Sequence, residues 1–246
     1  MMSRMSVCMA TRNGGRFIAE QLESILRQLE PDDEVIISDD SSTDDTIAVI
    51  RSFKDERIRL FEGNRSYNPT FNFENAIRNA SGDIIALSDQ DDIWLDGKVA
   101  VVKKTVTAST ERFFMVILNG LIIDDAENIH PRTIAEQTGA ANGVLRNLFD
   151  SSYIGCCMAF KRDLLEIALP FPKTVPMHDW WMGLLNEIYG TVRFIDTITI
   201  RYRRHGETFT DLPKRVRSFD QITCRCLMAW HIAARFISYS IFKNKR

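Results

Sequence analysis

The chain has 246 residues, of which 45% are hydrophobic and 26% charged. That is the balance of one compact domain with short appendages, and it excludes a disordered or fibrous chain. Lys and Arg number 31 against 33 Asp and Glu, a formal charge of −2, so the chain lacks the cationic field that nucleic-acid binders use. Cys156 and Cys157 are neighbours, Cys224 and Cys226 are one residue apart, and Cys8 stands alone. That pattern suits reduced, buried thiols in a cytosolic protein, not a disulfide scaffold or a zinc site. Met1 to Ala10 lacks the apolar core of a secretory signal, and no stretch is long enough to cross a bilayer. The expectation is a cytoplasmic protein, soluble or peripheral at the inner face of the membrane.

The first half alternates between short apolar runs and helical stripes. Met5 to Ala10 reads as a strand, and Phe17, Ile18, Leu22, Ile25, Leu26 and Leu29 as one buried helical face. Glu34 to Ser38 is a second strand, and Thr43 to Phe53 a helix with Ile47, Ile50 and Phe53 inward. Ile58 to Phe61, Phe71 to Ala80 and Asp83 to Leu87 continue as strand, helix and strand. Near-continuous apolar strands separated by helices predict an α/β fold with a mostly parallel sheet covered on both faces.

The second half is less regular. Phe113 to Ile123 is strand-like with a turn signal at Asn119-Gly120, and Asp124 to Gly143 reads as a polar loop. Gly155 to Phe160 predicts a strand, His178 to Ile188 a helix, and Val192 to Ile195 and Ile198 to Tyr202 the last strands. The organisation expected is one domain over residues 1–212 and a basic, amphipathic helical extension over 213–246.

Chemistry concentrates after the strand that ends near Leu87. Asp89, Asp91 and Asp92 place three carboxylates within four positions; they repel one another and favour protonation unless a cation compensates them. A divalent ion is the simplest compensation, and oxygen donors favour Mg²⁺ or Mn²⁺. The bland alternative is a solvated acidic turn that caps the next helix. Ligands in open α/β sheets bind beyond the carboxyl ends of the strands, which favours a site. Asp39 falls at the same end of the second strand, where it suits either a nucleoside contact or a helix cap. Asp44 and Asp45 read as caps. Thr11-Arg12-Asn13-Gly14-Gly15 closes the first strand with glycines that permit close backbone approach.

Val7 to Gly14, Ser38 to Asp44, Asn72 to Ala76, Gly82-Asp83, Ser88 to Trp94, Met177 to Trp181 and Tyr202 to Gly206 together resemble the family 2 glycosyltransferases. The likeness is to the bacterial rhamnosyltransferase-like branch of lipopolysaccharide and capsule assembly, and it covers about residues 5 to 206. It implies a GT-A fold, a nucleotide-diphospho-sugar donor such as a UDP- or dTDP-sugar, a divalent metal (Mn²⁺ or Mg²⁺) and inversion at the anomeric carbon. By position, Thr11, Asn13 and Asp39 would hold the nucleoside. Asp89 and Asp91 form the Asp-x-Asp motif, with Asp89 near the ribose or sugar and Asp91 on the metal. Asp92 would lie beside the donor sugar, Asp179 would be the catalytic base and His205 a further metal ligand. Arg12 stands where the family often has Tyr, and Ser41 where it usually has Gly.

Inverting transfer needs one base to take the acceptor's hydroxyl proton. Asp179 opens a helix between His178 and two tryptophans, which also suits a plain cap in an apolar setting. His178 and Trp94 read as packing residues, and Arg201 to His205 as a basic patch fit for a diphosphate. From Lys214 onward eight basic residues face the single acid Asp220, and apolar residues are dense from Ile222 to Phe242. That leaves open a helix on an anionic membrane beside a lipid-linked or glycan acceptor, a helix docked on its own domain, and pairing in a homodimer. Two other functions stay open. One is a non-catalytic nucleotide-sugar-binding or scaffold protein. The other is a haloacid-dehalogenase-type phosphohydrolase, whose Asp-x-Asp usually follows the first strand and continues to Thr or Val where this chain has Ile93.

Overall fold

The computed structural model describes residues 3–204 and 219–243. Strand and helix alternate through β1 (Met5–Thr11), α1 (Ile18–Leu26), β2 (Glu34–Asp39), α2 (Thr46–Ser52), β3 (Ile58–Phe61), α3 (Pro69–Asn79) and β4 (Ile84–Ser88). Then come β5 (Ile93–Trp94), α4 (Lys98–Thr107), β6 (Phe114–Ile123), β7 (Ile129–Thr133), α5 (Ile134–Thr138), α6 (Val144–Phe149), β8 (Met158–Lys161), α7 (Leu165–Ala168), α8 (His178–Tyr189), β9 (Thr191–Arg203) and α9 (Phe219–Lys243).

All strands join one sheet in the order β3-β2-β1-β4-β8-β6-β9-β5, with β7 added on β6. The first four are parallel, β8 runs antiparallel between β4 and β6, and β9 is parallel to β6. Every residue of β1, β2 and β4 is buried apart from a half-buried Ala10, because helices cover both faces. α3 begins at Pro69, two residues before the expected Phe71, for a physical reason: Pro69 takes the first helical position and the Asn68 side chain accepts from Thr70 N at 2.8 Å.

The second half departs from expectation in several places. Asn119-Gly120 is no turn but an irregular point inside β6: Asn119 Oδ1 accepts from Gly120 N and Ala135 N while its Nδ2 donates to Asp196, absorbing the register shift against β9. The two last strands are accordingly one long β9. The polar stretch 124–143 holds β7 and α5, the latter opened by a capping box of Thr133 and Glu136. Gly155 to Cys157 forms a 3₁₀ turn ahead of β8. Between Trp94 and Phe113, α4 had no sequence counterpart. Its buried Val99, Val102 and Val106 are β-branched, weakly helical residues that packing holds in place.

α9 docks on its own domain by one face. Met228 is fully buried, Ile232 and Tyr239 pack against the core, and Arg235 donates to the carbonyls of Ile167, Leu169 and Pro170. No helix among the described residues is long and apolar enough to cross a membrane. Cys8, Cys156 and Cys157 are buried free thiols as expected, whereas Cys226 is exposed.

At the sheet end away from the strand C-termini, buried Glu34 ties three strands together. Its carboxylate accepts from Ser6 Oγ at 2.6 Å and from Ser81 N and Oγ at 2.7 Å, and pairs with Arg4 and Arg59. Burial alone would raise its pKa, but these hydrogen bonds outweigh it and hold the group at about 2. A folded-state pKa below the unfolded one stabilises the protein above the unfolded value and is lost as pH falls toward 2. Glu34→Gln is expected to cost about 2 kcal/mol in urea denaturation at neutral pH, with the gap to the native chain closing on acidification.

Candidate active site

Thr11, Asp39 and Ser88 end three adjacent parallel strands, so their loops share one rim of the sheet. Thr11 Oγ1 donates to Asp39 Oδ2 at 3.0 Å, and Ser42 N donates to Asp39 Oδ1 at 2.8 Å. Asp39 thus staples its own turn and the end of β1. Ser41 adopts φ +62°, the left-handed backbone that Gly takes without strain; the departure from Gly keeps the turn's shape. Asn13, at φ +50°, accepts from Thr43 N at 2.8 Å while its own N–H donates to Ser42 Oγ. Asp44 caps as expected, accepting from Thr46 N and Gly15 N. Asp45 flanks α2 without a side-chain cap bond.

Gln90, inside the Asp-x-Asp motif, locks this first loop to the acidic one. Its amide accepts from Arg12 N at 2.9 Å and donates to Arg12 O at 3.1 Å. A Cβ at position 14 would lie 2.2 Å from Gln90 Oε1, so a larger residue there would push the Gln90 amide off its bonds to Arg12.

The acidic run wraps around buried groups that sequence reasoning missed. Lys98 is buried beneath it, donating from Nζ to Cys156 O at 2.8 Å and lying 4.1 Å from the Trp94 ring centre. Ligand atoms of Asp89, Asp92 and Cys156 fall within 4.8 Å of one another. Asp92 is buried, accepts from Arg203 N at 3.0 Å through Oδ1, and its Oδ2 lacks a hydrogen-bond partner among the described residues. Burial and the charges of Asp91 and Asp179 raise Asp89 to about 7; burial with Asp91 and Asp89 raises Asp92 well above the usual carboxylate range. Burial lowers the Lys98 pKa while the surrounding anions oppose that fall. Its sole signal in the sequence is a lysine six residues beyond an acidic run.

Asp179 opens α8 and faces this cluster. Its Oδ1 accepts from Trp180 N at 2.6 Å and its Oδ2 from Gly155 N at 3.2 Å, yet burial still raises it to about 6. Gly155 lies in the 3₁₀ turn that replaces the expected start of a strand. Trp181 is buried away with its indole on Ala168 O, while Trp180 is half-buried on Asn147 O. Trp94 packs under the acidic turn, as expected.

Arg203 is not free for a diphosphate. It is buried, donates to Asp91 O and pairs with Glu20 at 3.0 Å. Arg201 pairs with Glu127 at 3.4 Å. His205 lies outside the described residues. The fold therefore unites Asp89, Asp91, Asp92 and Asp179, with Thr11, Asn13 and Asp39 beside them on the same rim.

A parallel half, an antiparallel β8 inserted in the sheet and an acidic rim make up a GT-A fold. The model of glycosyl transferase family 2 matches residues 6–167, and the chain belongs to that family. The dTDP-rhamnosyl transferase RfbG of Shigella flexneri is 38% identical over 221 residues, covering 80% of this chain and 71% of its own length. The UDP-Glc:alpha-D-GlcNAc-diphosphoundecaprenol beta-1,3-glucosyltransferase WfgD of Escherichia coli is 27% identical over 190 residues, covering 74% and 70%. Other curated glycosyltransferases are longer, and the chain spans 44% to 65% of two of them. The S. aureus TarS 1–349 complex with UDP-GlcNAc superposes with a TM-score of 0.69 at 16% identity, over 92% of this chain and 65% of that one.

His178 behaves as a core residue. It stacks on Phe73 with ring centres 4.1 Å apart, and neither ring nitrogen has a partner among the described residues. Burial lowers its pKa to about 3. The unfolded chain therefore binds a proton that the fold refuses, so this residue costs stability as pH drops from about 6.5 toward 3. His178→Leu is expected to melt no lower than the native chain at neutral pH. Its stability should fall less steeply on acidification, by about 1.4 kcal/mol per pH unit, as read from paired denaturation curves.

Proposed function

We propose that the chain transfers a sugar, with inversion, from a UDP- or dTDP-sugar to a hydroxyl of a lipid-linked surface-polysaccharide precursor at the inner face of the cytoplasmic membrane. The observation that carries this reading is the meeting of Asp179 with the Asp89-Asp91-Asp92 rim across about ninety residues of chain. Base and leaving-group ends of one reaction thereby share a site. The names of RfbG and WfgD favour a dTDP- or UDP-sugar and a polyprenyl-diphosphate acceptor.

In this reading Thr11, Asn13 and Asp39 form the nucleoside rim. Asp39 is held there by Thr11 and Ser42, so a base edge would meet a carboxylate already oriented. Asp92, fixed by Arg203 N, faces the donor sugar. Asp91, half-buried, would hold Mn²⁺ or Mg²⁺ with His205 as a further ligand, and half-buried Asp89 beside it would meet the ribose or sugar. The donor set fits such an ion: oxygen atoms with excess negative charge suit a hard cation. The Cys156 thiol does not join it, because its hydrogen bond with Cys157, burial and Asp92 keep it protonated. When bound, the ion stabilises the negative charge gathering on the departing diphosphate.

Asp179 takes the acceptor proton as that oxygen attacks the anomeric carbon from the face opposite the leaving group. Its raised pKa, due first to burial, makes it a stronger base than an exposed aspartate while leaving it ionised above about 6. The Gly155 and Trp180 amides fix its two oxygens without blocking proton uptake. Lys98 offsets the acidic charge from below, so the carboxylates stay close before any donor arrives.

Turnover should therefore fall as pH drops through about 6, with an acid limb that Asp179 sets. Asp179→Asn is expected to keep donor affinity and lose about 10³-fold in kcat, measured by product formation with a nucleotide-sugar panel. Unchanged turnover would leave the protein a nucleotide-sugar-binding scaffold. Mn²⁺ should raise the melting temperature of chelator-treated protein, more at pH 8 than at pH 5.5, since Asp89, raised to about 7, takes up a proton at the lower pH and leaves the rim less negative. Asp91→Ala should abolish both that shift and metal-dependent donor binding. Donor affinity undiminished in excess chelator would remove the ion from the reading.

A further inference from the structure

The outer face of α9 has no covering element. Ile222, Trp230, Phe236 and Ile237 are each more than half exposed, Trp230 at 69%. At 3.6 residues per turn, positions 222, 230, 236 and 237 fall within about a third of the helix circumference, on one side. No exposed position between residues 222 and 238 carries a charge. The opposite face is pinned to the domain through Met228 and Arg235, so this stripe is held outward on a fixed support.

The apolar surface does not end with α9. α6 packs against α9 and exposes Leu145 at 73% and Phe149 at 61%. Between those two, the carbonyl of Asn147 holds the Trp180 indole, and Trp180 follows Asp179 directly in the chain. Apolar side chains thus lead from the outer helix to the edge of the proposed base.

Charge selects the occupant. The chain from Lys214 to its last residue carries eight basic residues and one acid, with three basic residues before the stripe and three after it. A second copy docked on this face would bring two such segments together and repel. An anionic bilayer attracts them, at about 1 kcal/mol per basic residue near the surface, while the stripe buries apolar side chains at the headgroup boundary. We propose that α9 and the adjoining face of α6 form a docking surface for an anionic lipid bilayer, oriented so that the Asp179 side of the site opens at the headgroup level. This stands on the exposed faces and the basic residues of the flanking sequence and does not require Asp179 to be the base.

The test uses the full chain and vesicles of phosphatidylcholine with or without phosphatidylglycerol, read by flotation and tryptophan emission. Binding should appear with the anionic vesicles, weaken with added salt and shift emission to shorter wavelength. Trp230→Asp combined with Ile237→Asp should lower the partition coefficient about a hundredfold, with the melting temperature and nucleotide binding unchanged. Leu145→Asp alone should give a smaller loss, about tenfold. The proposal is overturned if the native chain ignores anionic vesicles, or if the double variant binds them as the native chain does. It is equally overturned if sedimentation shows a dimer that Trp230→Asp dissolves, which would make the face a subunit contact. Nucleotide binding measured on the same variants keeps this result separate from the fate of the transferase reading.

Discussion

The crowding of Asp89, Asp91, Asp92 and Asp179 at one end of a parallel sheet governs the rest of this molecule. Burial pushes Asp89, Asp92 and Asp179 toward protonation, reinforced at Asp89 and Asp92 by the neighbouring acids, and a fold that gathers such groups must supply positive charge or accept protons. Lys98 supplies one buried cation from below, and the Arg203 and Gly155 amides supply oriented dipoles from the sides. Among the described residues these leave a deficit of positive charge at the rim, which on the proposed reading a cation-bridged diphosphate would fill.

The sheet's mixed topology creates that deficit. Parallel β1, β2 and β4 bring their carboxyl ends level, which any alternating α/β chain of this kind does. The site is completed by antiparallel β8, inserted between β4 and β6, because the 3₁₀ turn ahead of it sets Cys156 over Lys98 and Gly155 against Asp179. Gln90 then ties the acidic loop to the first loop through two hydrogen bonds to the Arg12 backbone. An apolar face on α9 and α6 adjoins the same corner, which gives the site an inside lined by charge and an outside lined by hydrocarbon.

Much of the first half was legible because its signals are local. Apolar runs of five or six residues, a Pro after Asn68 and capping aspartates report on their immediate neighbours, and the elements fall within a few residues of expectation. The second half was less so. A turn signal at Asn119-Gly120 lost to pairing with β9 on one side and to the Asn119 side chain bridging to Ala135 and Asp196 on the other. The valine-rich α4 lacks helical propensity and exists through packing. The loop expected at 124–143 folds because β6 offers it an edge.

Residue types, their order and the family likeness singled out Asp39, Asp89, Asp91, Asp92 and Asp179 as the candidate site, since motif spacing is a property of the chain alone. Only the tertiary structure decided which buried partners act on them. Lys98, Cys156, Gly155 and the Arg203 amide are distant in the chain or silent in composition, and their effect on the carboxylates is an electrostatic interaction set by distance and burial. Neither quantity exists until β8, α4 and β9 have closed around the rim.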